Sequence, residues 1–279
     1  MNPPDQATAA EQVPTQWVLG ELVKTARASR SAQNISRLSK FLAQAGIASR
    51  RKAETLIRSG NVKVNNVTVL DPFFRVTPHK DAVTVDNTPV SSHIKLKYIA
   101  LHKPVGYLSD LTDKRNRKLA RAFINDNARL FPIGRLDYQS EGLMLFTNDG
   151  AFADRIMHPR YEVEKEYLVK FKGHLNQQDL RNLMEGVVVD GERYLLDNIT
   201  LLRAEKENSW YRIIIHEGRK RMIRRVADAV SHPVIKLRRI RIGQVRLGCM
   251  KPGEHRPLTQ REISFFLRDQ RASAPPTVR

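Results

Sequence analysis

Residues 134–150, Gly-Arg-Leu-Asp-Tyr-Gln-Ser-Glu-Gly-Leu-Met-Leu-Phe-Thr-Asn-Asp-Gly, set a glycine-bracketed polar turn directly against an apolar run. A short apolar run with turn residues on both sides reads as a buried strand. A charged loop held by such a strand is where catalytic groups usually sit. Asp137 stands in that loop with Arg135 two residues away. Taken alone, the same pattern serves equally well as a solvated connection, so the rest of the chain has to decide.

The 279 residues are enough for one large domain or two unequal ones with a proper core. The formal net charge of +19 points to a polyanionic partner, because clustered Lys and Arg displace counterions from phosphates. The charge is focused: between Arg219 and Arg246 there are ten Lys or Arg residues and one acid, Asp228. The single cysteine, Cys249, excludes an intrachain disulfide and cannot build a thiolate metal site by itself. No His and acidic cluster has metal-ligand spacing, so no metal is expected. No apolar run is long enough to span a bilayer, and the N-terminus lacks the basic and apolar regions of an export signal. The expected setting is cytoplasmic, with no membrane contact.

The expected organisation has four parts: a flexible N-terminal extension at 1–34, a small domain at 35–95, a larger domain at 96–270 and a loose tail at 271–279. The extension is rich in Pro, Ala, Gln, Ser and Thr, with one short helical pattern around Trp17 and Leu22. In the small domain, Leu38, Phe41, Leu42 and Ala45 recur at helical spacing before Gly46. A second helix is capped by Ser49 and ends at Gly60. Arg50, Arg51 and Lys52 fill its first turn, where cations oppose the helix dipole; that placement suits an external anion. Residues 62–69 alternate like two strands around an Asn65-Asn66 turn.

In the large domain a strand at the start of 97–107 runs into a Pro104/Gly106 turn. Further strands are expected at 143–147, 166–172, 187–190, 210–216 and 234–237, with helices near 116–124, 151–157, 176–184, 219–230 and 259–267. Strands interrupted irregularly by helices indicate an α+β fold on a mixed, largely antiparallel sheet. There is no internal repeat and no glycine-rich phosphate loop. Tyr167 opens one strand. Arg224 lies between Ile223 and Val226 on the inward side of a helix, so its guanidinium could turn inward toward a carboxylate such as Asp137.

Two resemblances give these residues a context. Residues 37–90, with Ala-Gly-Ile-Ala-Ser-Arg-Arg-Lys-Ala-Glu and Gly-Asn-Val-Lys-Val-Asn, resemble the αL RNA-binding domain of a small-subunit ribosomal protein. That likeness implies phosphate contacts by Arg37, Lys40, Arg50, Arg51 and Lys52. Over 37–267 the chain is similar to bacterial ribosomal-RNA pseudouridine synthases that carry this domain at the N-terminus. The likeness rests on four ordered motifs: Lys-Pro-x-Gly at 103–106, Gly-Arg-Leu-Asp with Ser-x-Gly-Leu, Lys-x-Tyr at 165–167, and Glu-Gly-Arg-x-Arg-x-Ile-Arg-Arg at 217–225.

The resemblance implies isomerisation of a uridine flipped out of ribosomal RNA, without metal or organic cofactor. Asp137 would be the catalytic carboxylate, as nucleophile or as base. Arg224 would pair with it and Tyr167 would stack on uracil. Arg135 would hold the RNA backbone or fill the gap left by the base, and Lys103, Arg219, Arg221 and Arg225 would add RNA contacts. The expected partner is ribosomal RNA or an assembling ribosomal subunit, large-subunit RNA ahead of small-subunit RNA, bound by a monomer. A non-catalytic ribosome-assembly factor is the alternative. Met222 departs from the family pattern, which has Gln or Glu there.

Overall fold

The computed structural model describes residues 35–91, 93 and 95–268. The expected N-terminal extension, with its short helical pattern, and the tail after residue 270 lie outside the described residues. The chain separates into two units, with the division between residues 94 and 95.

In the first unit, helix α1 (Leu38–Gln44) precedes helix α2 (Arg50–Arg58). Leu38, Leu42, Ala53 and Ile57 are fully buried with Val62 in one core. Burying a side chain the size of Leu or Ile contributes about 2 kcal/mol before entropy is counted. The Ser49 hydroxyl accepts the amide of Lys52 at 3.3 Å and so starts α2. A four-stranded sheet in the order 67–68, 62–64, 83–85, 88–89 closes the unit. Its outer hairpins turn on Asn65-Asn66 and Asp86-Asn87, all four in the left-handed region where Asn and Asp are tolerated. The second hairpin is an addition to what the periodicity indicated.

The second unit is built on a nine-stranded sheet. Its strands are β1 (Tyr98–Lys103), β2 (Phe131–Ile133), β3 (Glu141–Thr147), β4 (Lys165–Lys172), β5 (Asn198–Ala204), β6 (Asn208–Ile215), β7 (Val234–Ile242), β8 (Val245–Arg246) and β9 (His255–Pro257). They run β5-β6-β4-β7-β3-β1-β9, with β2 on β3 and β8 on β7. Every pair is antiparallel except β7 with β3. Helices α3 (Gly150–Met157) and α6 (Gln260–Leu267) pack on one face over Ala100, Leu143, Leu145 and Ile242. Helices α4 (Gln177–Glu185) and α5 (Met222–Ala229) cover the other face at β4 and β6. Among the described residues, no helix is long and apolar enough to cross a membrane.

Register places one row of residues straight across this second face. Lys103 pairs with Gly142, Gly142 with Arg239, Arg239 with Tyr167 and Tyr167 with Ile213. Directly paired residues share a face. The apolar clusters extend from the row in opposite directions: Met144 and Phe146 beyond Gly142, Val169 and Phe171 beyond Tyr167.

Several segments differ from the periodicity. The helix expected at 116–124 is reduced to a single 3-10 turn, Ala120–Phe123, because the Asp113 carboxylate captures the amides of Arg115 and Arg117 and Asn116 turns left-handed. The helix expected from 219 starts at Met222, since Arg221 is left-handed at φ 55°. Residues 187–189 form a separate hairpin with 192–194 rather than a strand of the main sheet. The edge strands β5 and β9, and β2 with its Pro132, escape pattern reading because they pair on one side and lack strict alternation.

The parallel β3–β7 pair depends on Gly142. It sits at φ 112°, and a Cβ there would lie 2.3 Å from the carbonyl oxygen of Arg239. Gly142→Ala is expected to destabilise the second unit by about 3 kcal/mol or more, read from its urea midpoint. An unchanged midpoint would show that the two strands do not need this close approach.

Candidate active site

The loop between β2 and β3 turns at Gly134, left-handed at φ 72°, and carries Asp137 back toward the row. Its backbone is held on both sides. The Ser109 hydroxyl donates to the carbonyl of Leu136 at 2.6 Å and accepts its amide at 3.0 Å. The amide of Gly106 donates to the carbonyl of Tyr138 at 2.8 Å. The Lys103 ammonium donates to the carbonyls of Pro104, Asp137 and Ser140 at 3.0, 3.1 and 2.7 Å.

Lys103 is therefore not the phosphate contact expected from its motif. It is fully buried at the end of β1, and all three of its protons go to the turn it begins and the loop it anchors. Burial pushes its pKa down to about 8; nearby Asp137 resists that fall and the Arg239 guanidinium reinforces it.

Arg224 is turned inward, as its place between Ile223 and Val226 suggested. Its Nη1 donates to the carbonyl of Val234 at 3.1 Å. Its Nη2 reaches the carbonyl of Gln139 and the hydroxyl of Ser140, both at 3.3 Å. The buried Nε has no hydrogen-bond partner and lies 4.0 Å from Asp137 Oδ2. This is an ion pair rather than a hydrogen bond. Burial lowers the pKa of Arg224 and the Asp137 charge opposes that. Asp137 keeps 32% of its side chain exposed, whereas Arg224 keeps 8%. The carboxylate thus faces outward from a guanidinium that is fixed behind it.

Tyr167 lies in the row below, buried in the same cluster as Leu136, Met222 and Ile223. Met222 is thereby a core contact. Beside Tyr167, Arg239 donates from Nε to the carbonyl of Leu143 at 2.8 Å, and its buried Nη2 has no partner. Pattern reading missed Arg239 inside a basic run. The available signal was its strand alternation with Leu237, which puts it on the buried face. Ser109 and Ser140 were missed as well, and nothing local distinguishes them.

The remaining candidates divide by how freely their charges can act. Arg135 is exposed and pairs with Asp110 at 3.2 Å. Arg219 stacks on the Tyr194 ring at 4.8 Å, pairs with Glu217 at 3.0 Å and donates to the carbonyl of Arg193. Arg225 pairs with Asp190 and donates to the Tyr194 hydroxyl. Both tie the 187–194 hairpin to the segment at the start of α5, with Arg219 still exposed and Arg225 half-buried. Arg221 is exposed at the helix start. In the first unit, Arg50, Arg51 and Lys52 are exposed on the first turn of α2, Lys40 is half-buried, and Arg37 stacks on Phe73 at 5.2 Å. Among the described residues, no group of three His, Cys, Asp or Glu side chains could hold a metal ion.

A partly solvent-facing carboxylate on a pinned loop, backed by a buried guanidinium, can act as nucleophile or base toward a group brought to it. Comparison with known proteins gives the same frame. The profile of the RNA pseudouridylate synthase family matches residues 97–229, and that of the S4 domain matches 36–83. An uncharacterized RNA pseudouridine synthase of Aquifex aeolicus is 44% identical over 82% of this chain and 92% of its own length. The ribosomal large subunit pseudouridine synthase B of Bacillus subtilis is 40% identical over 82% of this chain and 94% of its own. A crystal structure of a pseudouridylate synthase, 29% identical, superposes with a TM-score of 0.58 over 82% of this chain and 99% of that one. The chain belongs to the RNA pseudouridine synthase family, with an S4 domain preceding the synthase domain, and is an isomerase.

Proposed function

We propose that the protein converts one uridine of ribosomal RNA, in the large subunit, to pseudouridine, and that Asp137 carries the reaction. The observation behind this reading is the Asp137 carboxylate, half-exposed on a pinned loop with the otherwise unpartnered Nε of Arg224 at 4.0 Å. The large subunit is preferred because the Bacillus subtilis relative bears that name.

The chemistry is an internal rearrangement. The N1–C1′ bond breaks, the uracil turns, and a C5–C1′ bond forms; C5 loses a proton and N1 gains one. Substrate and product have the same composition, so no oxidant, reductant or group donor is required. Asp137 either attacks the ribose at C1′ or removes the proton from C2′. Arg224 holds the carboxylate facing the sugar. Tyr167 supplies the floor on which the flipped base stacks, offsetting the few kcal/mol of unstacking. Arg135 meets the backbone beside the vacated position. In the S4 domain, Arg50, Arg51 and Lys52 contact phosphates, which relieves the clash of three cations with the α2 dipole.

Purified protein incubated with transcribed bacterial large-subunit rRNA should produce one new carbodiimide-dependent stop to reverse transcriptase. No stop on that transcript, with one on small-subunit rRNA, would reassign the target; no stop on either would sink the enzymatic reading. Asp137→Asn should lower kcat by about three orders of magnitude or more while RNA affinity stays within about twofold. Parallel loss of binding would make Asp137 a structural acid. Deleting residues 1–95 should weaken RNA binding and flatten its salt dependence, because phosphate contacts are removed. An unchanged slope would contradict the role given to the S4 domain.

The Lys103 anchor generates a pH dependence. With its pKa pushed down to about 8, the ammonium is fully formed below that pH and lost above it. A neutral amine has only two protons for three carbonyls, so kcat should fall as pH rises through about 8. Lys165, also lowered to about 8 by burial, lies nearby, so the Lys103→Arg variant separates the two. Arginine stays charged, and the basic limb should move upward. A wild-type profile that stays flat into the ordinary lysine range would refute this role.

A further inference from the structure

A charged feature next to the active site is used by none of the above. Between Leu108 and Leu119 the chain leaves the sheet as a loop whose neck is closed by two backbone hydrogen bonds: Leu108 amide to Lys118 carbonyl at 2.9 Å, and Ala120 amide to Leu108 carbonyl at 2.8 Å. Its tip reads Asp-Lys-Arg-Asn-Arg-Lys, residues 113–118. The loop hangs on the catalytic loop at two points. Ser109 makes both of its hydrogen bonds to Leu136, the residue before Asp137, and Asp110 pairs with Arg135 at 3.2 Å.

The tip is shaped by one acid. Asp113 Oδ2 accepts the amides of Arg115 and Arg117 at 3.1 and 2.9 Å, and the carboxylate also takes the Arg117 guanidinium at 3.1 and 2.7 Å. These bonds hold the Asp113 pKa well below the usual carboxylate range, led by the Arg117 side chain. The acid is thus committed inward, to its own loop. Lys114, Arg115 and Lys118 are exposed, and among the described residues none of them has a carboxylate partner. Lys118 lies 6.0 Å from the centre of the Tyr107 ring, beside the Pro104–Gly106 turn. Like charges crowded on a surface repel, so a loop tip that spends its one acid on shape and leaves three cations without a carboxylate is built to meet an anion.

We propose that the 113–118 loop is a preformed grip for the RNA backbone flanking the target uridine, with Lys114, Arg115 and Lys118 on phosphates and Asp113 fixing their spacing. This rests on the reading that RNA enters at Asp137. The loop's attachment to Leu136 and Arg135 sets the grip beside the Asp137 loop, so phosphates held here add affinity for the strand that carries the target.

The test uses the full-length chain and the large-subunit transcript above. Lys114→Gln/Arg115→Gln/Lys118→Gln should weaken RNA binding about tenfold near 0.1 M salt and reduce the slope of log affinity against log salt by about 2 to 3. At saturating RNA its kcat should stay within about twofold of wild type. An unchanged affinity and slope overturn the proposal, as does a fall in kcat with affinity intact. Asp113→Asn separates a shaped grip from mere charge. It adds positive charge yet releases the loop, so the grip requires weaker binding, and tighter binding overturns it. Thermal midpoints matching wild type establish that these surface variants are folded. Binding is read whether or not pseudouridine forms, so a failed grip and a failed enzymatic reading give different results.

Discussion

The ammonium of Lys103 is the interaction on which the site depends. A fully buried lysine loses its hydration, and the structure replaces that hydration with three carbonyl oxygens from two different turns. One of those carbonyls belongs to Asp137 itself and another to Ser140, where the loop enters β3. The loop that carries Asp137 therefore has little freedom to move as a unit. Removing the ammonium would leave three buried carbonyls without a donor, an arrangement much worse than any single lost hydrogen bond.

From that point the sheet carries order sideways. Lys103 pairs with Gly142, Gly142 with Arg239 and Arg239 with Tyr167, so the anchor of the loop and Tyr167 lie on one transverse line. Gly142 allows the line to pass from β3 to β7, because no side chain separates the two backbones. Arg224 approaches the same loop from α5 and bonds to Gln139 and Ser140, leaving its Nε toward Asp137. Three cations, Lys103, Arg224 and Arg239, are thus buried around one half-exposed carboxylate. Backbone carbonyls take three protons from Lys103, two from Arg224 and one from Arg239. Their positive field points the same way for an incoming polyanion.

How much of this was legible depends on the range of the interaction that decides it. Helices α1 and α2, the Ser49 cap and the Asn65-Asn66 turn are set by residues within a few positions of one another, and the pattern located them. The inward turn of Arg224 was legible for the same reason, since Ile223 and Val226 mark the buried side of α5. The partners that Arg219 and Arg225 find, Tyr194 and Asp190, lie on a hairpin 25 and 35 positions earlier, so nothing local announces them. Lys103 looked like a surface lysine because Lys-Pro-x-Gly is a turn sequence and nothing local shows that a second loop covers it. The helix expected after 116 failed through a local competitor, Asp113, whose side chain took the amides that a helix would have used.

The sequence by itself determined the basic character that selects a polyanion, the local helices with their caps, and, through four ordered motifs, the family and the identity of Asp137, Tyr167 and Arg224 as candidates. These depend on composition and on short spacings, which the linear order preserves. Only the tertiary structure decided which cations are spent inside the protein and which remain available. It buried Lys103 and Arg239, engaged Arg219 and Arg225, and left Lys114, Arg115 and Lys118 facing out beside the loop of Asp137. The reason is physical: a charge is available or not according to what the fold brings against it, and the groups that settle this for Lys103, Arg219 and Arg225 lie some 25 to 37 positions away.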